Sequence, residues 1–106
     1  MNWYKYAGIK IMPQVDPRKM KKFLRRLGFY LVRSDGKHEV FKNDMFNRTI
    51  TIPMHKRDLT PSVVSSIAEQ IGFSVKLFAD LYKRQKRLKE EEIQMHLKEN
   101  VPQYLK

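Results

Sequence analysis

The chain has no cysteine, which excludes disulfides, thiolate zinc sites and cysteine nucleophiles together. It has no apolar run near the roughly 20 residues that a membrane-spanning helix needs. Its opening Met1-Asn2-Trp3-Tyr4-Lys5 carries neither the basic start nor the apolar stretch of a signal peptide, so a cytoplasmic protein without a membrane anchor is expected. Glycine (4) and proline (5) are scarce among the 106 residues, and each therefore reads as punctuation rather than as part of a linker. Negative charge is also short. Eleven Asp+Glu stand against 22 Lys+Arg, a formal net charge of +11.

What is present narrows the class further. The length suits one domain, and 42% hydrophobic with 11% aromatic residues is too apolar for a disordered basic tail. Such an excess of cations makes a polyanion the natural partner. Nucleic acid comes first, because neutralised phosphates release counterions whatever the base sequence. An anionic membrane surface comes second.

The hydrophobic period locates the elements. Residues 1–15, with Trp3, Tyr4, Tyr6, Ile9, Ile11 and Met12, read as a short strand or packed cover. Asp16-Pro17 is a cap followed by a first-turn proline, and Gly28 is a left-handed stop, so a helix spans 17–27. Met20, Phe23, Leu24 and Leu27 form its apolar stripe, while Arg18, Lys19, Lys21, Lys22, Arg25 and Arg26 take the remaining circumference. From Phe29 the period drops to two. Residues 29–33 and 38–42 flank the turn Ser34-Asp35-Gly36-Lys37, and Arg48-Thr49-Ile50-Thr51-Ile52 runs to Pro53, giving a three-strand meander with Ile50 and Ile52 on its covered face.

Thr60-Pro61 repeats the cap-then-proline start, and Val64, Ile67, Ala68 and Ile71 stripe a second helix that Gly72 ends. Ser74 caps a third helical stretch reaching to about residue 98. The order is α-β-β-β-α plus a C-terminal helical extension: an α+β fold with a three-stranded antiparallel sheet and two helices on one face.

His38 is the leading candidate for chemistry, since it opens the middle strand just after a tight turn and should project near a sheet end. RNA supplies its own nucleophile in the 2′-hydroxyl, and an imidazole can take that proton or protonate the departing 5′-oxygen. Lys37, Arg33 and Lys42 are near enough in sequence to steady the phosphate charge. The competing reading is an ordinary half-exposed strand residue. No two of His38, His55 and His96 have ligand spacing, so no metal site and no cofactor are expected.

The run Asp16 to Phe78 resembles the HicA toxin family of type II toxin–antitoxin systems. The resemblance is carried by Arg26-Leu27-Gly28-Phe29, Leu31-Val32-Arg33, Gly36-Lys37-His38-Glu39-Val40-Phe41, Thr51-Ile52-Pro53-Met54-His55 and Val64 through Ser74. It implies a double-stranded-RNA-binding-domain-like fold and metal-independent endoribonuclease (mRNA interferase) activity on mRNA, with His38 at the catalytic position. It also implies a cognate HicB-like antitoxin that covers the site. The family usually has Gly-Ser-His where this chain has Gly36-Lys37-His38, which exchanges a hydroxyl for an ammonium. His55 stands where the family often has a histidine and is a secondary acid–base candidate, whereas His96 is expected at the surface.

Three segments follow from this: an N-terminal extension (1–15), a HicA-like RNA-binding and ribonuclease domain (16–78) and a C-terminal helical extension (79–106). The substrate-binding set is Gly36, Lys37, Arg33 and Lys42 around His38, with Lys21, Lys22 and Arg25 on the first helix tracking a phosphate backbone. The alternatives are a non-catalytic RNA-binding module on the same fold and, less well supported, a membrane-surface protein, since the first helix exposes no apolar stripe once its four core residues are buried. In the extension Leu81, Leu88 and Met95 recur every seven residues, but Gln85 and Glu92 interrupt the companion positions. A helix that packs back through Val75, Phe78 and Tyr82 and then runs into solvent is expected, with self-association through it the lesser alternative.

Overall fold

The computed structural model describes residues 15–53 and 58–106. The expectations for residues 1–14 and for the loop bearing His55 lie outside the described residues. Helix α1 (Pro17–Arg26) is followed by strands β1 (Tyr30–Ser34), β2 (His38–Asn43) and β3 (Arg48–Pro53), then helices α2 (Pro61–Ile71), α3 (Val75–Lys83) and α4 (Glu90–Glu99). Short 3-10 turns occupy Gln85–Arg87 and Gln103–Leu105. The sheet is antiparallel in the order β1-β2-β3, which is the expected meander.

Local chemistry explains the helix boundaries. Asp16 accepts the Arg18 amide at 2.8 Å, Thr60 accepts that of Val63 at 3.4 Å and Ser74 that of Leu77 at 3.1 Å. Each cap satisfies a donor that the first helical turn leaves orphaned. Gly72 ends α2 with φ +105°, and a Cβ there would meet the Asn100 carbonyl oxygen at 2.6 Å and Pro102 at 2.8 Å. Its lack of a side chain thus serves the left-handed turn and also the close return of the C-terminal segment.

Both α1 and α2 lie on one face of the sheet. Glu39 and Asn43, which alternate with Phe41 on that face, reach α1 through Lys21 Nζ (3.3 Å from Glu39 Oε1) and the Leu27 carbonyl (3.1 Å from Asn43 Nδ2). The core holds Met20, Phe23 and Leu24 of α1, Phe41, Ile50 and Ile52 of the sheet and Val64, Ile67 and Ile71 of α2. A large apolar side chain removed from water contributes about 1.5–3 kcal/mol. Ile50 and Ile52 are therefore where the pattern predicts, with Thr49 and Thr51 exposed on the other face.

The third helical stretch departs from expectation. It does not continue to residue 98 but breaks at Arg84, turns through Gln85–Arg87 and restarts at Glu90. It does not run into solvent either. Leu81, Leu88, Ile93 and Leu97 all join the core, and Phe23 meets Phe78 and Tyr82 edge-on at 5.2 and 5.3 Å. The seven-residue spacing of Leu81 and Leu88 reflects two anchors on either side of a turn, and Met95 alone of that series is exposed. Leu88 can enter the core only because the chain bends before it. His96 is likewise not a free surface residue: its imidazole is covered by Phe73, edge-on at 6.5 Å, and lies 3.6 Å from Glu92.

One buried cation ties these parts together. Arg48 is 2% exposed and donates to the Ile71 carbonyl at 3.0 Å and to the Leu97 carbonyl. The positive guanidinium thus meets the negative ends of α2 and α4. Burial lowers its pKa, but an arginine has ample margin to remain charged.

Candidate active site

The strand register assigns each predicted residue to a face. Directly opposed residues share a face, and β2 pairs with β3 as His38 with Pro53, Val40 with Thr51 and Lys42 with Thr49. The same face receives Tyr30, opposite Lys42, and Arg33, opposite Val40. None of these residues is buried. His38 projects at one end of this face with its side chain 54% exposed, as the sequence predicts for a strand opening after a turn.

Arg33 reaches that face through an irregularity. Leu31 pairs with Phe41 but Arg33 pairs with Val40, so Val32 is an extra residue in β1. Strict alternation would set Arg33 opposite Glu39, on the side covered by helices. A bulge reverses the phase of everything beyond it, and here it turns the guanidinium toward the face that bears His38.

The turn holds the histidine from beneath. Asp35 Oδ1 accepts the backbone N–H groups of Lys37 at 2.9 Å and His38 at 2.7 Å, while the Asp35 N–H donates to the His38 carbonyl at 3.1 Å. Gly36 supplies the positive φ, +88°, and nothing lies within 4 Å of where its Cβ would be. Its requirement is conformational rather than steric, and the space above the turn is open. The two backbone donors, His38 first, hold the Asp35 carboxyl below the usual carboxylate range. The same carboxylate stands 4.0 Å from His38 Nδ1, too far for a hydrogen bond.

The predicted cations are not equivalent. Among the described residues Arg33 and Lys37 have no carboxylate partner, whereas Lys42 lies 3.6 Å from Asp44, which also accepts the Tyr30 hydroxyl at 2.6 Å. That bond raises the Tyr30 pKa and keeps the phenol protonated. The α1 cations do not share the face of His38. Lys21 is paired with Glu39, Arg25 is exposed in the last turn of α1, and Lys22 opens into a cleft on the far side of that helix.

That cleft, of about 560 Å³, lies between α1 and the turn after α3, and its walls carry Lys19, Lys22, Lys83, Lys86 and Arg87. Sequence reasoning missed the last three as binding residues. The run Lys83-Arg84-Gln85-Lys86-Arg87 was visible, but a continuous helix would have distributed it around a cylinder instead of presenting it beside α1. Among the described residues no group of His, Asp or Glu is gathered as a metal site would require, and no helix is long and apolar enough to cross a membrane.

Comparison with known proteins bears on the helix, meander and second helix together. The family model described as HicA toxin of bacterial toxin-antitoxin matches residues 17–73, more than half of the chain. This chain belongs to the HicA toxin family. Neither a curated protein nor a solved structure matches it. HicA membership makes it the toxin of a toxin–antitoxin pair and supports a nuclease activity, the family being generally ribonucleases. The HicA match ends at Phe73, just before α3, so the tail cleft is built largely by residues beyond it.

Proposed function

We propose that the protein is an endoribonuclease toxin that cleaves mRNA in the cytoplasm without a metal and is neutralised by a HicB-like antitoxin. The observation that carries this reading is the exposed imidazole of His38 at the end of a sheet face that also bears Arg33, with Lys37 adjoining in the turn. The 2′-hydroxyl of a bound nucleotide attacks the neighbouring phosphorus. His38 accepts the hydroxyl proton or delivers one to the departing 5′-oxygen, and the products are a 2′,3′-cyclic phosphate and a free 5′-hydroxyl. Arg33 and Lys37 stabilise the charge that grows on the phosphoryl oxygens. Lys37, standing where the family usually has serine, adds a cation in place of a hydroxyl. Family membership supplies the expectation of an antitoxin, and a partner lying over the β1–β2 turn would cover His38.

The test is cleavage of a defined transcript with a chelator present, followed by end-group analysis of the fragments. His38→Ala should lower the rate by about 10²–10⁴, the usual range for loss of a general acid or base. It should leave circular dichroism unchanged, because the ring is exposed and takes no part in the core. Retained cleavage by that variant would sink the assignment of His38. A wild-type protein that shifts RNA but never cuts it would replace the nuclease with a binding module on the same fold.

A further inference from the structure

We infer that the cleft between α1 and the turn after α3 is a second RNA contact, a seat for the sugar-phosphate backbone of the substrate away from the face that bears His38. The inference rests on the RNA-directed reading above and deepens it. Five cations, Lys19 and Lys22 from one wall and Lys83, Lys86 and Arg87 from the other, face about 560 Å³ of open space. Among the described residues none of the five has a carboxylate within ion-pair distance, whereas neighbouring Arg84 is held by Asp80 at 3.0 Å and Glu92 at 2.8 Å. Asp80 and Glu92 are thus directed to Arg84, and Asp16, the carboxylate near Tyr82, is paired with Arg18 at 3.5 Å, so the five cations around the cleft are left without an ion-pair partner among the described residues. Like charges collected around a cleft raise the local concentration of an anion and are relieved when it binds.

The wall is built, not accidental. Leu88 is buried beneath the turn, and Arg26 of α1 donates to its carbonyl. Gln85 Nε2 donates to the Tyr82 carbonyl at 3.0 Å. These contacts hold Lys83, Lys86 and Arg87 on the side of α1 where Lys19 and Lys22 emerge. Tyr82, half-buried against Phe23, forms the floor. Lysine is depleted from protein–protein interfaces, which favour aromatic and apolar cores, whereas nucleic-acid interfaces are dominated by positive charge. The lining therefore favours phosphates over an acidic protein. Because the second wall lies beyond residue 73, the contact belongs to the tail and not to the family-matched region.

Binding can be read separately from scission by placing the variants on His38→Ala and titrating a labelled unstructured RNA at several salt concentrations. The triple change Lys83→Gln, Lys86→Gln, Arg87→Gln should weaken binding by about tenfold or more and reduce the slope of log affinity against log salt by about two, as expected for three lost single-strand phosphate contacts. The control is Lys76→Gln, Lys98→Gln, Lys106→Gln, which removes the same charge from exposed positions elsewhere and should change both quantities much less. Equal losses in the two triples would overturn the inference in favour of net charge alone. Unchanged RNA affinity in the first triple would also overturn it, and would hand the cleft to an acidic protein surface. Since nothing in this assay requires cutting, failure of the nuclease reading and failure of the cleft appear as different results.

Discussion

The two edges of the sheet are treated in opposite ways. At the β3 edge the outward backbone groups are closed by side chains. Gln70 of α2 accepts the Thr51 amide at 2.9 Å and donates to its carbonyl at 3.4 Å, while the Tyr104 hydroxyl accepts the Thr49 amide at 3.3 Å. The β1 edge carries a bulge and is exposed throughout, with Tyr30, Leu31 and Val32 each about half exposed (47%, 49% and 52%). Open edges invite pairing, and proteins usually blunt them. Here the closed edge lies where the C-terminal segment returns, and the irregular, open one lies beside the candidate site. Regularity is kept where the C-terminal segment packs, and the departure from it occurs where an arginine is turned toward the face that bears His38.

Neutralising the side chain that the bulge turns outward gives the most severe test of that contrast. Arg33→Gln removes the cation and keeps the strand. Arg33 is exposed, so the change empties no core volume. Cleavage should fall by about 10² while thermal stability is little changed, and activity equal to wild type would show that Arg33 takes no part in the chemistry on the face that bears His38. On the other edge, Gln70→Ala and Tyr104→Phe should each cost about 0.5–1.5 kcal/mol in denaturant unfolding. The amides of Thr49 and Thr51 should then exchange with solvent as fast as the free amides of β1. Protection that survives both changes would mean that these side chains do not close the edge.

The smallest effect belongs to the turn. The folded-state pKa of Asp35 is depressed, so its stabilisation is present above the unfolded carboxylate value and disappears as pH falls through the lower folded one. Exchange of the Lys37 and His38 amides should therefore accelerate, relative to the rest of the sheet, only on acidification below about pH 4. An acceleration already present near neutrality would remove Asp35 as the group that holds this turn.

Much of this arrangement was legible in the chain, for identifiable reasons. Asp16-Pro17, Thr60-Pro61 and Gly72 fix helix ends through local stereochemistry, and the two-residue period of β3 places Ile50 and Ile52 inward without reference to anything distant. The same period also places Arg48 inward. That was the available signal for a buried cation, although its partners at the ends of α2 and α4 are far away in sequence and could not be inferred. The position of His38 followed from a turn and a strand start. The orientation of Arg33 did not, because a bulge is decided by the pairing of two strands and leaves β1 with no special residue at Val32. The tail resisted reading for a related reason: Arg84–Lys89 is rich in helix-compatible residues, and only burial of Leu88 on one side and Leu81 on the other explains the bend.

The exposed β1 strand has a colloidal consequence. A bare apolar edge on a neutral protein would nucleate edge-to-edge stacking of copies, yet each copy here carries eleven surplus positive charges. Long-range repulsion keeps two such molecules apart before their strands can meet. This guard has a reach of about 10 Å at 0.1 M salt and about 3 Å at 1 M. The same cations that suit the protein to a polyanion thus also keep it dispersed, and either concentrated electrolyte or a neutralising polyanion would lift that protection and leave the strand to find another of its kind.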